Sequence, residues 1–231
     1  MNNSTPVFNN NRIYFAGLLL LLVTGSLLLM LLGKSSAFIS LNSYHPFWLN
    51  VFFINYTFMG DGIFAICLIV FFIFYLKKKK EGLALLYAFL LSGFAVQIIK
   101  NLVNSPRPKL FFEPGQYMFF MDGVSLSNNS SFPSGHTATA FAIATVLILF
   151  IKNRQWQLPV LLSAVMVGYS RIYLAQHFLI DVLVGALIGS LSGIAGFYLI
   201  PNFKKIKAGL GKMHRFKTGL NESPAGTIQP I

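Results

Sequence analysis

Charge is what this chain has least of. Only 10% of its 231 residues are Asp, Glu, Lys or Arg, and just six of those are acids. A soluble domain carries roughly 25% charged residues, so a water-facing globule is excluded. Cysteine is nearly absent as well. Cys67 stands alone in an apolar run, which rules out an intrachain disulfide and leaves it as a small hydrophobe. The apolar runs lack the period-2 alternation of barrel strands, and there is no internal repeat. What fills the chain instead is hydrophobic: 55% by count, with a mean hydropathy of +0.66.

An all-α, polytopic membrane protein follows, since open β-structure leaves unpaired backbone groups in lipid. A spanning helix needs ~20 mostly apolar residues. Residues 13–32, 60–76, 83–103, 137–151, 158–175 and 178–200 supply six such segments, of which the second and fourth are short. We expect six transmembrane helices in one bundle, forming a domain over 1–203, then a basic and finally polar cytoplasmic tail over 204–231. The alternative for 13–32 is a cleaved signal peptide ending near Ser35-Ser36-Ala37.

The basic residues set the orientation. With a cytoplasmic N-terminus, thirteen of the eighteen lie inside, including Lys77–Lys80 and the tail lysines. Lys34, Lys100, Arg107, Lys109 and Arg171 are left outside. The positive-inside rule therefore places both termini in the cytoplasm. The net charge of +12 thus reflects topology and attraction to anionic lipid headgroups, not a nucleic-acid partner.

Two outside connections are unusual. Residues 33–58 carry Tyr44, His45, Phe47, Trp48, Phe52, Phe53 and Tyr56, aromatics of the kind that collect at the membrane–water boundary. An interfacial helix or loop is expected there, with His45 as an interface polar group rather than a catalyst. Residues 104–132 open with Pro106 and Pro108, which stop the third helix. Their Phe- and Met-rich stretch over 109–121 is too apolar for a solvated loop. It either caps the site, dips into the bilayer or grips a lipid chain.

Three motifs sit at helix edges on that same outer face. Lys100 and Arg107-Pro108 end the third span, Pro133-Ser134-Gly135-His136 opens the fourth, and Ser170-Arg171 ends the fifth with His177 and Asp181 opening the sixth. His177 and Asp181, four apart, share a helix face. A carboxylate on one imidazole nitrogen fixes the tautomer and frees the other nitrogen to attack, which makes His177 a candidate nucleophile. A plain helix-stabilising pair is the alternative. His136 is the natural proton donor to a leaving oxygen, since no carboxylate other than Asp181 is an evident acid nearby. Ser134 is a good N-cap and Gly135 permits close backbone approach, so the start of this helix can receive an anion. Lys100, Arg107 and Arg171 offer the charge to hold phosphate oxygens, or snorkel to headgroups. A metal bound by His136, His177 and Asp181 is disfavoured by three converging cations.

These strings resemble the three-part signature of the type 2 phosphatidic acid phosphatase superfamily: Lys, six residues, Arg-Pro; Pro-Ser-Gly-His; Ser-Arg, five residues, His, three residues, Asp. Every defining position matches, from Lys100 to Asp181. The resemblance implies a phosphatase that needs no metal or other cofactor. His177 would be the nucleophile, Asp181 its partner and His136 the general acid. Lys100, Arg107, Ser134, Gly135 and Arg171 would bind the phosphoryl group. It further implies a lipid phosphate or pyrophosphate substrate, cleaved through a phosphohistidine at the outer face of a bacterial inner membrane. Undecaprenyl pyrophosphate is favoured by family frequency; a lipid A phosphate or phosphatidylglycerophosphate is the alternative. A lipid phosphotransferase using the same phosphoenzyme is the competing class.

Overall fold

The structure is a computed structural model that describes residues 10–113, 116 and 130–200. The expected tail over 204–231 and most of the Phe/Met-rich stretch lie outside the described residues. All regular structure among the described residues is helical: α1 (Arg12–Leu41), α2 (Phe47–Tyr56), α3 (Gly62–Val70), α4 (Lys79–Leu102), α5 (Gly135–Phe150), α6 (Gln157–Tyr173) and α7 (Leu179–Tyr198). Short 3-10 turns precede α3 and α6, α3 loosens to π spacing over Phe71–Tyr75, and one turn of helix covers Pro108–Phe111.

By length and composition α1, α4 and α7 can each cross a membrane. The α2–α3 pair qualifies as a fourth span only if its two halves, bent by 56° between Gly60 and Gly62, are counted together. Of the six spans expected, those at α5 and α6 have 16 and 17 residues, about 24–26 Å of helix against a ~30 Å hydrocarbon core. Helix α4 ends at Leu102, before the two prolines, as their missing donors require.

Helix α5 is the axis of the bundle. Nearly every residue from Thr137 to Val146 is buried, and its main neighbours are α7 and α4. The α5–α7 approach depends on small residues at four-residue spacing, Gly185, Gly189 and Gly193, the device by which membrane helices bring their backbones close. A Cβ on Gly185 would lie 2.6 Å from the Ser134 carbonyl oxygen and 3.1 Å from Thr137 Cβ. Helix α1 lies at the periphery. Leu19, Leu20, Met30 and Leu31 are exposed on it, a larger apolar face than water tolerates.

Helix α1 also departs from the expected boundary. Its apolar run stops at Leu32, yet after a break at Gly33, whose φ of 75° suits glycine, helix resumes to Leu41. There Ala37 and Phe38 pack on Phe178, Leu179 and Val182. Polar contacts fasten both ends of α1. The Gln157 Oε1 accepts from the Ile13 and Tyr14 amides at 3.0 and 3.3 Å. At the far end the Asn42 amide donates to the carbonyls of Ile172 and Tyr173 at 2.5 and 2.8 Å.

Candidate active site

Helices that alternate in direction bring the C-terminal ends of α4 and α6 to the same end of the bundle as the N-terminal ends of α5 and α7. The three sequence motifs therefore meet. Segment 130–134 is stitched to both neighbours. The Ser131 amide donates to the Ser105 carbonyl at 2.8 Å, Lys100 Nζ donates to the Ser130 carbonyl at 3.2 Å, and the Ser134 amide donates to the Asp181 carbonyl at 3.0 Å. One short stretch thus ties the first and third motifs to the second.

The turn between α6 and α7 is drawn tight. Ala175 takes a left-handed φ of 52°, uncommon for a residue with a Cβ. The Gln176 and His177 amides fold back to donate to the Arg171 carbonyl at 3.0 and 3.1 Å. Arg171 and His177 are thereby locked together across five intervening residues.

His177 and Asp181 are both buried, and Nδ1 lies 3.4 Å from Oδ2. That oxygen also accepts from the Phe178 amide at 2.9 Å and from the Ser131 hydroxyl at 2.5 Å. Ser131 Oγ is itself 3.3 Å from His177 Nδ1. With a carboxylate and a hydroxyl both at Nδ1, the proton belongs there and Nε2 keeps its lone pair. Burial pushes the imidazole down to about 4, against the opposing pull of Asp181, so it is neutral at pH 7. Asp181 stands in the first turn of α7, where the helix dipole favours a negative charge.

Ser134 caps α5. Its Oγ accepts from the Thr137 hydroxyl at 2.8 Å and from the Thr137 amide at 3.4 Å, which leaves its own hydroxyl proton to donate elsewhere. At Gly135 a Cβ would meet only Val96 at 3.8 Å. Protein packing therefore does not demand a glycine; the bare backbone leaves room above the helix start for an approaching anion.

The cations converge. Electrostatic interactions connect Lys100 with Arg107, Arg171 and Asp181, and connect His136 with Lys100, Arg107, Arg171 and His177. Arg107 is buried, and one of its terminal nitrogens donates to the Gln176 side-chain oxygen at 2.9 Å and to the Gln176 carbonyl at 3.2 Å. Arg171 donates to Thr57 Oγ1 at 2.6 Å, while its buried Nε has no protein partner. Among the described residues no three His, Cys, Asp or Glu side chains form a metal-ligand set.

Four residues of this site carried no weight in the sequence reading: Thr57, Asp61, Ser131 and Gln176. Asp61 corrects it. Contrary to the expectation that Asp181 is the one nearby acid, Asp61 Oδ2 lies 3.7 Å from His136 Nε2. The second span was expected to begin at this end of the bundle, so an acid at its first turn was a usable signal. His45 is no part of the site: its Nε2 is 2.9 Å from the Asn42 carbonyl oxygen and its ring packs, tilted by 39°, against Tyr173 at 4.3 Å.

Comparison with known proteins identifies the family. The sequence profile of the PAP2 superfamily matches residues 81–205. Phosphatidylglycerophosphatase B of Bacillus subtilis is 31% identical over 176 residues, covering 69% of this chain and 78% of that protein. The lipid A 4'-phosphatase of Porphyromonas gingivalis is 29% identical over 167 residues, 69% of this chain and 70% of its own length. Among solved structures, Aquifex aeolicus LpxE superposes with a TM-score of 0.63 at 34% identity, covering 71% of this chain and 94% of that one.

Proposed function

The chain belongs to the PAP2 superfamily and is a membrane lipid phosphate phosphatase, and from that premise we propose that His177 Nε2 attacks the phosphorus of a lipid phosphate or pyrophosphate. The observation that carries this reading is the buried His177–Asp181–Ser131 cluster: burial keeps the imidazole neutral, and the carboxylate and hydroxyl hold its proton on Nδ1. As the N–P bond forms and the P–O bond breaks, His136 gives its proton to the departing oxygen. Water then attacks the phosphohistidine, His136 takes a proton from it, and the N–P bond breaks to release inorganic phosphate. General acid–base work of this kind supplies about 10²–10⁴-fold.

Lys100, Arg107 and Arg171 hold the phosphoryl oxygens, with the Ser134 hydroxyl and the Gly135 amide at the start of α5. Those cations supply the charge stabilisation without a metal, so EDTA should leave turnover unchanged. Arg171 Nε, buried without a protein partner, has a donor to spare for a phosphate oxygen. We further propose six spans within 1–203, both termini in the cytoplasm and the site at the outer face of a bacterial inner membrane. The thirteen-to-five split of basic residues supports this orientation. An apolar groove of about 390 Å³ bounded by Leu21, Leu28, Phe141, Ile172, Leu179 and Leu183 offers the lipid chain a berth beside the α7 start.

Undecaprenyl pyrophosphate is the substrate we propose first. Phosphatidylglycerophosphate and lipid A phosphates are the alternatives that the relatives' names raise. The test is inorganic phosphate release from each lipid in detergent micelles by purified wild type and His177→Ala. Phosphate released by wild type without an added acceptor, and lost in the variant, is expected. Turnover that requires a lipid acceptor would make the chain a phosphotransferase, and activity retained by His177→Ala would remove the mechanism.

A further inference from the structure

The bend between α2 and α3 is not part of the three-motif signature, yet it touches the site at three points. Thr57 Oγ1 accepts from Arg171 at 2.6 Å. Gly60 packs so closely that a Cβ there would lie 2.7 Å from the His136 carbonyl oxygen and 3.0 Å from His136 Cβ. Asp61 Oδ2 stands 3.7 Å from His136 Nε2, with both side chains about a third exposed (36% and 32%).

Asp61 divides its two oxygens. Oδ1 accepts from the Ile63 amide at 2.8 Å and caps α3, while Oδ2 is left for the imidazole. Capping alone needs no charge, because Asn and Ser cap as well as Asp. The charge matters to His136. A general acid must carry its proton at the moment of transfer, yet burial first, and then Arg171, His177, Lys100 and Arg107, push this imidazole down to about 3. A carboxylate at 3.7 Å, joined by the negative charge of a bound phosphate, works against that push.

We propose that Asp61 is the positioning residue for the leaving-group proton: it holds His136 protonated and turned toward the leaving oxygen. With the phosphate bound the proton sits on Nε2, drawn toward Asp61 Oδ2. As the P–O bond breaks that proton passes to the leaving oxygen and the imidazole becomes neutral. This rests on the reading of His136 as general acid.

The dependence on leaving group separates this role from a structural one. An alkoxide leaving group needs the proton; p-nitrophenolate hardly does. The measurement is kcat/KM, which ends with departure of the leaving group, on a short-chain phosphatidic acid and on p-nitrophenyl phosphate, for wild type, Asp61→Asn, Asp61→Ser, His136→Ala and the Asp61→Asn/His136→Ala double variant. Both Asp61 variants keep the cap. We expect each to lose about tenfold to a hundredfold on the alkyl substrate, part of the ~10²–10⁴ of acid–base catalysis, and less than about threefold on the aryl one. The double variant should match His136→Ala within about twofold, since residues acting as a unit are not additive. Equal losses on both substrates, or a double variant tenfold below His136→Ala, would overturn the role of Asp61 and leave His136 standing. No leaving-group dependence in His136→Ala itself would take away the acid and, with it, this inference.

Discussion

Ser131→Ala is the most economical test of how the proposed nucleophile, His177, is prepared. The hydroxyl lies 2.5 Å from Asp181 Oδ2 and 3.3 Å from His177 Nδ1, and Ser131, His177 and Asp181 are all buried. The other carboxylate oxygen, Oδ1, has no protein partner. Removing the hydroxyl therefore leaves Asp181 with the Phe178 amide and the imidazole alone. A hydrogen bond to a charged group is worth ~1.5–3 kcal/mol, and every ~1.4 kcal/mol is tenfold in rate. If the whole of that support is felt when the imidazole attacks, kcat falls about 10- to 150-fold. KM should hardly move, because Ser131 addresses His177 and Asp181 rather than the phosphate. The assay is phosphate release at saturating lipid in mixed micelles, with Asp181→Asn as the inactive reference and Ser131→Thr to restore the hydroxyl. A kcat within twofold of wild type, or a loss confined to KM, would refute this account.

Gln176→Ala removes an acceptor of Arg107, at 2.9 Å. At ~0.5–1.5 kcal/mol per hydrogen bond, KM should rise about two- to tenfold, read from initial rates. Gly185→Ala drives a methyl group to within 2.6 Å of the Ser134 carbonyl oxygen, an overpacking cost of ~1–3 kcal/mol. A lower melting temperature together with at least a tenfold loss of kcat is expected, as α7 backs away from the start of α5. Because His177 must be neutral to attack and burial holds it to about 4, the acidic limb of kcat/KM should lie near pH 4. The same depression means that stability, complete above pH ~6.5, is lost as pH falls from there toward 4. An acidic limb near 6.5 that persists after the substrate's own phosphate ionisation is subtracted would contradict this.

Much of the architecture was legible because lipid leaves few options. Apolar runs of spanning length, proline stops after α4 and an Asn/Ser-type cap before α5 all speak locally, and the helices appeared where those signals stood. The bend between α2 and α3 did not, since aromatics at an interface resemble a separate surface helix until their contacts are known. The motif residues were legible as a set because each is a costly charge at an apolar edge. Ser131, Gln176 and Asp61 escaped for the opposite reason. Serine and glutamine are ordinary in loops, and an acid followed by glycine before an apolar run reads as an N-cap, which Asp61 also is. Its second role depends on a neighbour 75 positions away, a distance that only folding closes.

Helix α1 is secured at its two tips and greasy in between. The outer tie is not made to a neutral part of the molecule: Asn42 hooks the carbonyls of Ile172 and Tyr173, the two residues directly after Arg171. A spanning helix answers a thicker or thinner bilayer by tilting, and whatever tilt the break at Gly33 passes on to residues 34–41 tugs on that hook. The surrounding lipid thus has a mechanical lever on the arginine proposed to hold the phosphate, so the same enzyme should work at different rates in membranes of different thickness.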